Sequence, residues 1–381
     1  RSMYIYSWIL YIFLACLSAV LIRRSCLNKP TVLVYGNKLS FSINTSMAFL
    51  FLILLFFAVM RKIEPGVGGT DAYEYLQKID SANISYSSYL DALRTKSLLK
   101  TGEPLFQLFI ILCNKLPHSH AVFLLVVYST IIYCFLRFIR KFYDKTLNFF
   151  PILLLICYFL SSFNILRSWL SVALCLISFN LIADKKYIKS IVLILIASLI
   201  HYVGFCFLLV WLCCFLYDKK PRLFSRRSLL IFCVGINVLT FVCQSVFINF
   251  FTDTKYSSYM GLLNTVSIIG HIPTILICFY SVWLFDKYKD IDENIAKCII
   301  AITVNLSLMY TIIFLLGWRI NDFFALIRMY MLSVFFYDFK RKKYGTIYSV
   351  LLYLFIVVIF IQQMLSLRAS SGVFPYLLSF M

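Results

Sequence analysis

Long apolar runs, each ended by polar or basic residues, recur from one end of this chain to the other. They lack the alternation of a strand, and most are long enough to cross or enter a hydrocarbon core roughly 30 Å thick as helices. The pattern predicts helices near 4–22, 44–60, 121–139, 149–164, 168–183, 187–200, 202–217, 228–251, 266–285, 297–316, 321–339 and 345–366. In lipid the backbone satisfies its own polar groups only as a helix or a closed barrel. The predicted fold is all-α, a polytopic helical membrane protein of about twelve transmembrane helices. The runs 187–200 and 202–217 are short for separate crossings, so a broken or re-entrant pair around His201 is a second reading.

Residues 61–120 form a large polar insertion with helical signals of its own. Asp71-Ala72-Tyr73-Glu74 has the spacing of a capping box, with a helix running on through Tyr75 and Ile79. A second helix is predicted after Glu103-Pro104, to about Leu116, because Pro favours the first helical position. It is too short to span and is expected to dip into the interface or a cavity on the outer side. Arg1-Ser2 before Met3 reads as a tag remnant, and 3–381 as one integral membrane domain carrying the 61–120 loop and half-helix insertion.

Composition agrees: 62% of residues are hydrophobic, against about 45–50% in soluble domains. The formal net charge of +20 would suggest nucleic acid in a soluble protein. Here the Lys and Arg gather in short loops on one side, around Arg23-Arg24, Arg137 to Lys145, Lys185 to Lys189, Lys219 to Arg227, Lys287 to Lys297 and Lys340 to Lys343. That is a positive-inside bias, which places those loops in the cytoplasm and makes a nucleic-acid partner unexpected. The 13 Cys show no ligand spacing and read as small core residues; no metal is expected. No Walker loop, dinucleotide fingerprint or GxSxG elbow occurs, so ATP and nucleotide-sugar chemistry are not expected and no cofactor is implied.

The unusual polar residues fall at the opposite ends of the runs. Arg167, in Asn164-Ile165-Leu166-Arg167-Ser168, is either an interfacial snorkelling residue or a cavity cation, with Ser171 one turn on as a polar wall. Arg319 either pairs locally with Asp322 or faces an anion; Arg328 lies well inside an apolar run and needs an internal partner or a bound anion. Several guanidiniums on one cavity suit a diphosphate. Asp71 and Glu103 are candidate acid/base carboxylates, or merely complements to helix N-termini. His201 is either a proton acceptor or a hydrogen-bonded structural residue. Lys255-Tyr256 with Tyr259 suits phosphate and sugar stacking, although interfacial tyrosines are common in membranes.

Taken in order, these pieces resemble the EpsG/Wzy group of bacterial polysaccharide polymerases over most of the chain. The resemblance rests on Arg61 and Gly69-Thr70-Asp71 with Tyr75; Glu103-Pro104-Leu105-Phe106; Leu166-Arg167; Ala197 to His201; Lys255-Tyr256 with Tyr259; and Arg319 before an aromatic pair. Ser168 stands where Gln often follows the first arginine, and Trp318 replaces a carboxylate before the late one. The resemblance implies a GT-C-like, Wzy-type glycosyltransferase of the bacterial inner membrane with its active site facing the periplasm. Its donor and acceptor would be undecaprenyl-diphosphate-linked oligosaccharides, with membrane lipids, a chain-length regulator and a flippase as further partners.

Such chemistry assigns Arg61, Arg167, Lys255, Arg319 and Arg328 to the diphosphate, and Asp71, Glu103 and His201 to proton transfer, with a carboxylate the favoured base. Tyr75, Tyr256 and Tyr259 fall to the sugar. Direct displacement without a metal predicts inversion at the anomeric carbon. Competing readings are an O-antigen ligase, a polyprenyl-phosphate-sugar glycosyltransferase of the GT-C type, and a lipid-glycan transporter or flippase.

Overall fold

A computed structural model describes residues 2–27, 44–81, 103–144, 146–246, 249, 268–315, 319–370 and 372–379. Among them the regular structure is helical, with only two isolated β-bridges, Arg61 to Leu378 and Glu64 to Val67. The helices are α1 (Ser2–Leu27), α2 (Thr45–Val59), α3 (Thr70–Asp80), α4 (Pro104–Asn114), α5 (Ser119–Phe142), α6 (Leu153–Asn164), α7 (Leu166–Ala183) and α8 (Tyr187–Ile200). They continue as α9 (Cys206–Lys219), α10 (Arg226–Val242), α11 (Ile268–Trp283), α12 (Phe285–Tyr288), α13 (Glu293–Ser307), α14 (Arg319–Asp322), α15 (Ala325–Phe339) and α16 (Gly345–Ser370). Each predicted apolar run contains a helix. Among the described residues five segments are long and apolar enough to cross a membrane: Met3–Leu27, Ser119–Phe142, Leu166–Ala183, Tyr202–Lys219 and Gly345–Arg368.

Contacts divide the chain into two compact units. One comprises 1–74, 121–166 and 332–381. Within it α1 packs on α2 and α6, and α16 packs on α6. Tyr11 Oη donates to the Val373 carbonyl at 2.9 Å and its ring meets Phe374 edge-on, which ties the chain after α16 to α1. Ile347, Leu351, Leu354 and Val358, spaced to share one face of α16, are all exposed. An apolar stripe of this kind is costly in water and at no cost in hydrocarbon.

The other unit comprises 75–120 and 167–331. Its centre is α13, buried from Ile295 through Ser307 and packed by α9, α10 and α11. A helix buried on every side sits inside a bundle, its polar side chains Lys297 and Asn305 included. The pair α8 and α9 forms an antiparallel hairpin: Tyr187 Oη, at the start of α8, donates to Asp218 Oδ2 near the end of α9 at 2.5 Å, and Trp211 Nε1 donates to the Tyr187 carbonyl at 3.0 Å. The turn of that hairpin is His201.

One residue counted among the loop cations belongs to the bundle. Lys297 is 0% exposed, with Nζ 2.9 Å from Asp218 Oδ2, 2.7 Å from Glu293 Oε1 and 3.3 Å from the Ile182 carbonyl. It joins α7, α9 and α13 from inside, and Glu293 completes it at i,i+4 spacing. Lys297→Ala would leave the buried Asp218 carboxylate without its cation. A loss of about 3 kcal/mol is expected, as for other broken buried pairs, and thermal melting of the purified protein in detergent would read it.

Candidate active site

The site of the second unit is organised by one carboxylate. Glu103 holds an extended backbone at the N-cap of α4, and its carbonyl accepts the Gln107 N–H, yet its side chain does not cap the helix. Oε2 instead accepts from Arg167 Nη1 at 2.9 Å, and Oε1 lies 3.0 Å from His201 Nδ1. Glu103 is 1% exposed, His201 0% and the Arg167 side chain 18%, so the carboxylate and imidazole are buried while the Arg167 side chain keeps partial exposure, its Nε buried. A cation in the first turn of α7 is disfavoured by the helix dipole, so Arg167 is not there for helix stability. The carboxylate opposite supplies the compensation. Because Oε1 can only accept, Nδ1 carries the proton of a neutral His201, and Nε2, buried without a hydrogen-bond partner among the described residues, keeps its lone pair.

Local sequence sets this geometry. At His201 the chain turns extended after α8, while its N–H still bonds the Ala197 carbonyl. Gly204 follows in the 3-10 turn Tyr202–Phe205, and a Cβ there would lie 3.0 Å from Ser171 Oγ and 3.1 Å from the Ser198 backbone. Ser171, expected as a cavity wall, is fully buried and donates to the Ala197 carbonyl at 2.8 Å. It ties α7 to α8. Tyr75 is likewise no open platform for a sugar: it is buried, its ring meets Phe106 at 5.0 Å, and the Arg167 guanidinium lies 5.9 Å and 5.8 Å from the two rings. Both separations are within cation–π reach.

Arg328 is buried on α15, with Nη1 donating to Asn305 Oδ1 at 2.7 Å and Asn321 Oδ1 at 3.2 Å. Arg319 is half-buried at the start of α14. Asp322 Oδ2 is buried and has no hydrogen-bond partner among the described residues. Asn305 and Asn321 are functional candidates that the charge pattern does not reveal. The available signal is an amide within an otherwise apolar run, at Asn305 above all.

In the first unit a separate set of contacts seats Asp71. The Arg61 side chain, 3% exposed, donates through Nε to the Gly68 carbonyl at 2.8 Å, through Nη2 to Tyr128 Oη at 2.8 Å, and through Nη1 to the Ala58 carbonyl. Its guanidinium also stacks 4.2 Å from the Phe163 ring. All three nitrogens are thus committed to protein groups, which makes Arg61 a structural clamp rather than an open cation. Gly69, at φ +108°, lies against the end of α6, where a Cβ would fall 2.0 Å from the Phe163 carbonyl oxygen. The next residue opens α3, since the Gly69 carbonyl accepts the Tyr73 N–H. Asp71 is therefore inside the first turn rather than at the predicted cap, and Asn164 Oδ1 accepts its N–H at 3.1 Å. Its side chain is half-buried.

Lys255, Tyr256 and Tyr259 lie outside the described residues. Among the described residues no three His, Cys, Asp or Glu side chains converge as metal ligands.

The EpsG family matches residues 44–378, and the chain belongs to that family. Membership supports a polysaccharide-polymerase role of the glycosyltransferase kind in a membrane protein. No curated protein and no solved structure matches the chain.

Two outcomes follow from the geometry. Gly69→Ala is expected to abolish folded protein, because both the positive φ and the carbonyl contact exclude a side chain; size-exclusion chromatography of a fluorescent fusion would read this. Glu103→Ala, which strips Arg167 of its carboxylate, is expected to lower stability by about 3 kcal/mol in detergent melting.

Proposed function

We propose that the protein is a Wzy-type polymerase that joins undecaprenyl-diphosphate-linked oligosaccharide repeats at the periplasmic face of the bacterial inner membrane. In this reading about twelve helices cross the bilayer in a GT-C-like arrangement, and a flippase and a chain-length regulator work beside it. The observation that carries the proposal is the Glu103 carboxylate shared between Arg167 and His201. A buried acid that orients an arginine on a partly exposed side chain is what a diphosphate site needs, since Arg meets phosphate oxygens through paired hydrogen bonds.

The reaction is a displacement. A hydroxyl oxygen of the incoming repeat attacks the anomeric carbon of the growing chain, the bond from that carbon to the diphosphate oxygen breaks, and undecaprenyl diphosphate leaves with the bonding pair. Arg167, with Arg319 and Arg328, stabilises the negative charge that develops on the leaving group, without a metal. Glu103 and His201 act through Arg167 as positioning residues: both Glu103 oxygens are already engaged. The hydroxyl proton passes to a carboxylate base, the role that the family resemblance implies for Asp71. Arg61 is set aside from the diphosphate set because protein acceptors occupy it. Attack opposite the leaving group inverts the anomeric centre.

The test is the surface-glycan ladder of a deletion strain complemented with wild type or with variants. The empty strain should show a single-repeat band and wild type should restore the ladder. Arg167→Ala is expected to cut polymer at least about a hundredfold, the cost of losing one transition-state charge partner, and Arg167→Lys to fail as well, because an ammonium lacks the fork. A full ladder from inserted Arg167→Ala would refute the assignment. Loss of all surface glycan in the empty strain, with no single-repeat band, would indicate ligation or flipping instead.

A further inference from the structure

Behind the late arginines of the second unit lies a network of neutral side chains with no role in the scheme above. Asn305 on α13, Asn321 on α14 and His271 on α11 are all buried, as is Arg328 on α15. Arg328 Nη1 donates to both amide oxygens, at 2.7 Å and 3.2 Å. Asn305 Nδ2 donates to Asn321 Oδ1 at 3.0 Å, and Asn321 Nδ2 lies 3.3 Å from His271 Nδ1. The direction of these bonds is forced. Arginine only donates, so both amides turn their oxygens to it. The NH2 of Asn321 then faces His271, whose Nδ1 must present a lone pair.

Two physical consequences follow. First, among the described residues Arg328 makes no salt bridge, and its Nε and Nη2 have no hydrogen-bond partner. The buried Asp322 carboxylate already interacts electrostatically with Arg328 without a hydrogen bond to it; a further carboxylate in the place of either amide would orient the guanidinium equally well but add a second negative charge, whereas an amide orients it and adds none. Second, Asn321 sits two residues after Arg319 on the same short helix, where side chains project about 200° apart. An amide held inward by three other elements fixes the direction in which Arg319 is carried.

We propose that Asn321, backed by Asn305, is a positioning residue for the leaving-group diphosphate: it holds Arg328 by a neutral contact that preserves its charge and pins the segment bearing Arg319. This inference rests on the polymerase reading, in which those arginines meet the diphosphate.

The experiment uses the full chain in nanodiscs, with undecaprenyl diphosphate as the titrated ligand and thermal melting in parallel. Asn321→Asp is close to isosteric. Its carboxylate still accepts from Arg328 and Asn305, and a change of His271 tautomer satisfies the second oxygen. Melting at or above the wild-type temperature is expected, with binding weakened at least about tenfold, because the new anion neutralises Arg328. A purely structural role for Asn321 would leave affinity unchanged, and wild-type affinity in the folded variant overturns the inference while leaving the polymerase reading intact. Failure of wild type itself to bind the ligand overturns that reading, and the inference with it. Should Asn321→Asp not fold, Arg328→Gln, which keeps amide donors but no charge, carries the test. It is expected to weaken binding to a similar degree, and wild-type affinity there also overturns the proposal.

Discussion

A single buried carboxylate, Glu103, holds together three parts of the second unit that share no local sequence. Arg167 is 64 positions away and His201 is 98. In a low-dielectric interior an unpaired carboxylate is far too costly to keep, so the chain must bring a cation and a donor to it before α4, α7 and the α8–α9 hairpin are settled. Specificity of docking and preparation of the site are then the same event. The ion pair so formed carries no net charge into the interior.

Arg167 and Arg328 are oriented by opposite means. Arg167 is aimed by an acid and is partly exposed; Arg328 is aimed by two amides and is buried. An acid gives strong orientation but lowers the potential felt by a ligand, whereas amides give weaker orientation and keep the potential high. In the first unit Arg61 illustrates a third use, with carbonyls, a tyrosine hydroxyl and an aromatic face absorbing the guanidinium entirely. Three arginines of similar appearance in the sequence therefore have different availability, decided by what surrounds the guanidinium.

Much of this was legible beforehand. Apolar run length located the helices, because a membrane segment must satisfy its backbone within itself. Pro104 marked the start of α4, and His201 marked a break between short helices. Glu103, Arg167 and His201 each stood out as polar residues at run ends, but nothing local says that they touch. Side-chain partnering across such separations depends on packing. The Asp71 cap was misplaced by two positions because Gly69, through its close approach to α6, takes the cap itself. Lys297 passed as a loop charge although Glu293, four residues earlier, already signalled a helical pair. Asn305 and Asn321 leave no mark in the charge pattern because amides carry none.

The burial of Lys297 also bears on how the chain enters its membrane. As α13 leaves the ribosome it carries an ammonium into an apolar bundle, answered on its own helix by the half-exposed Glu293 and from α9 by Asp218. Asp218 lies at the end of α9, made 79 residues earlier, so the counter-charge is already waiting when Lys297 arrives. Synthesis from N to C terminus thus matches the electrostatic order of assembly. A circular permutation that placed α13 ahead of α9 would reverse that order, leaving Lys297 with Glu293 of its own helix until α9 is made.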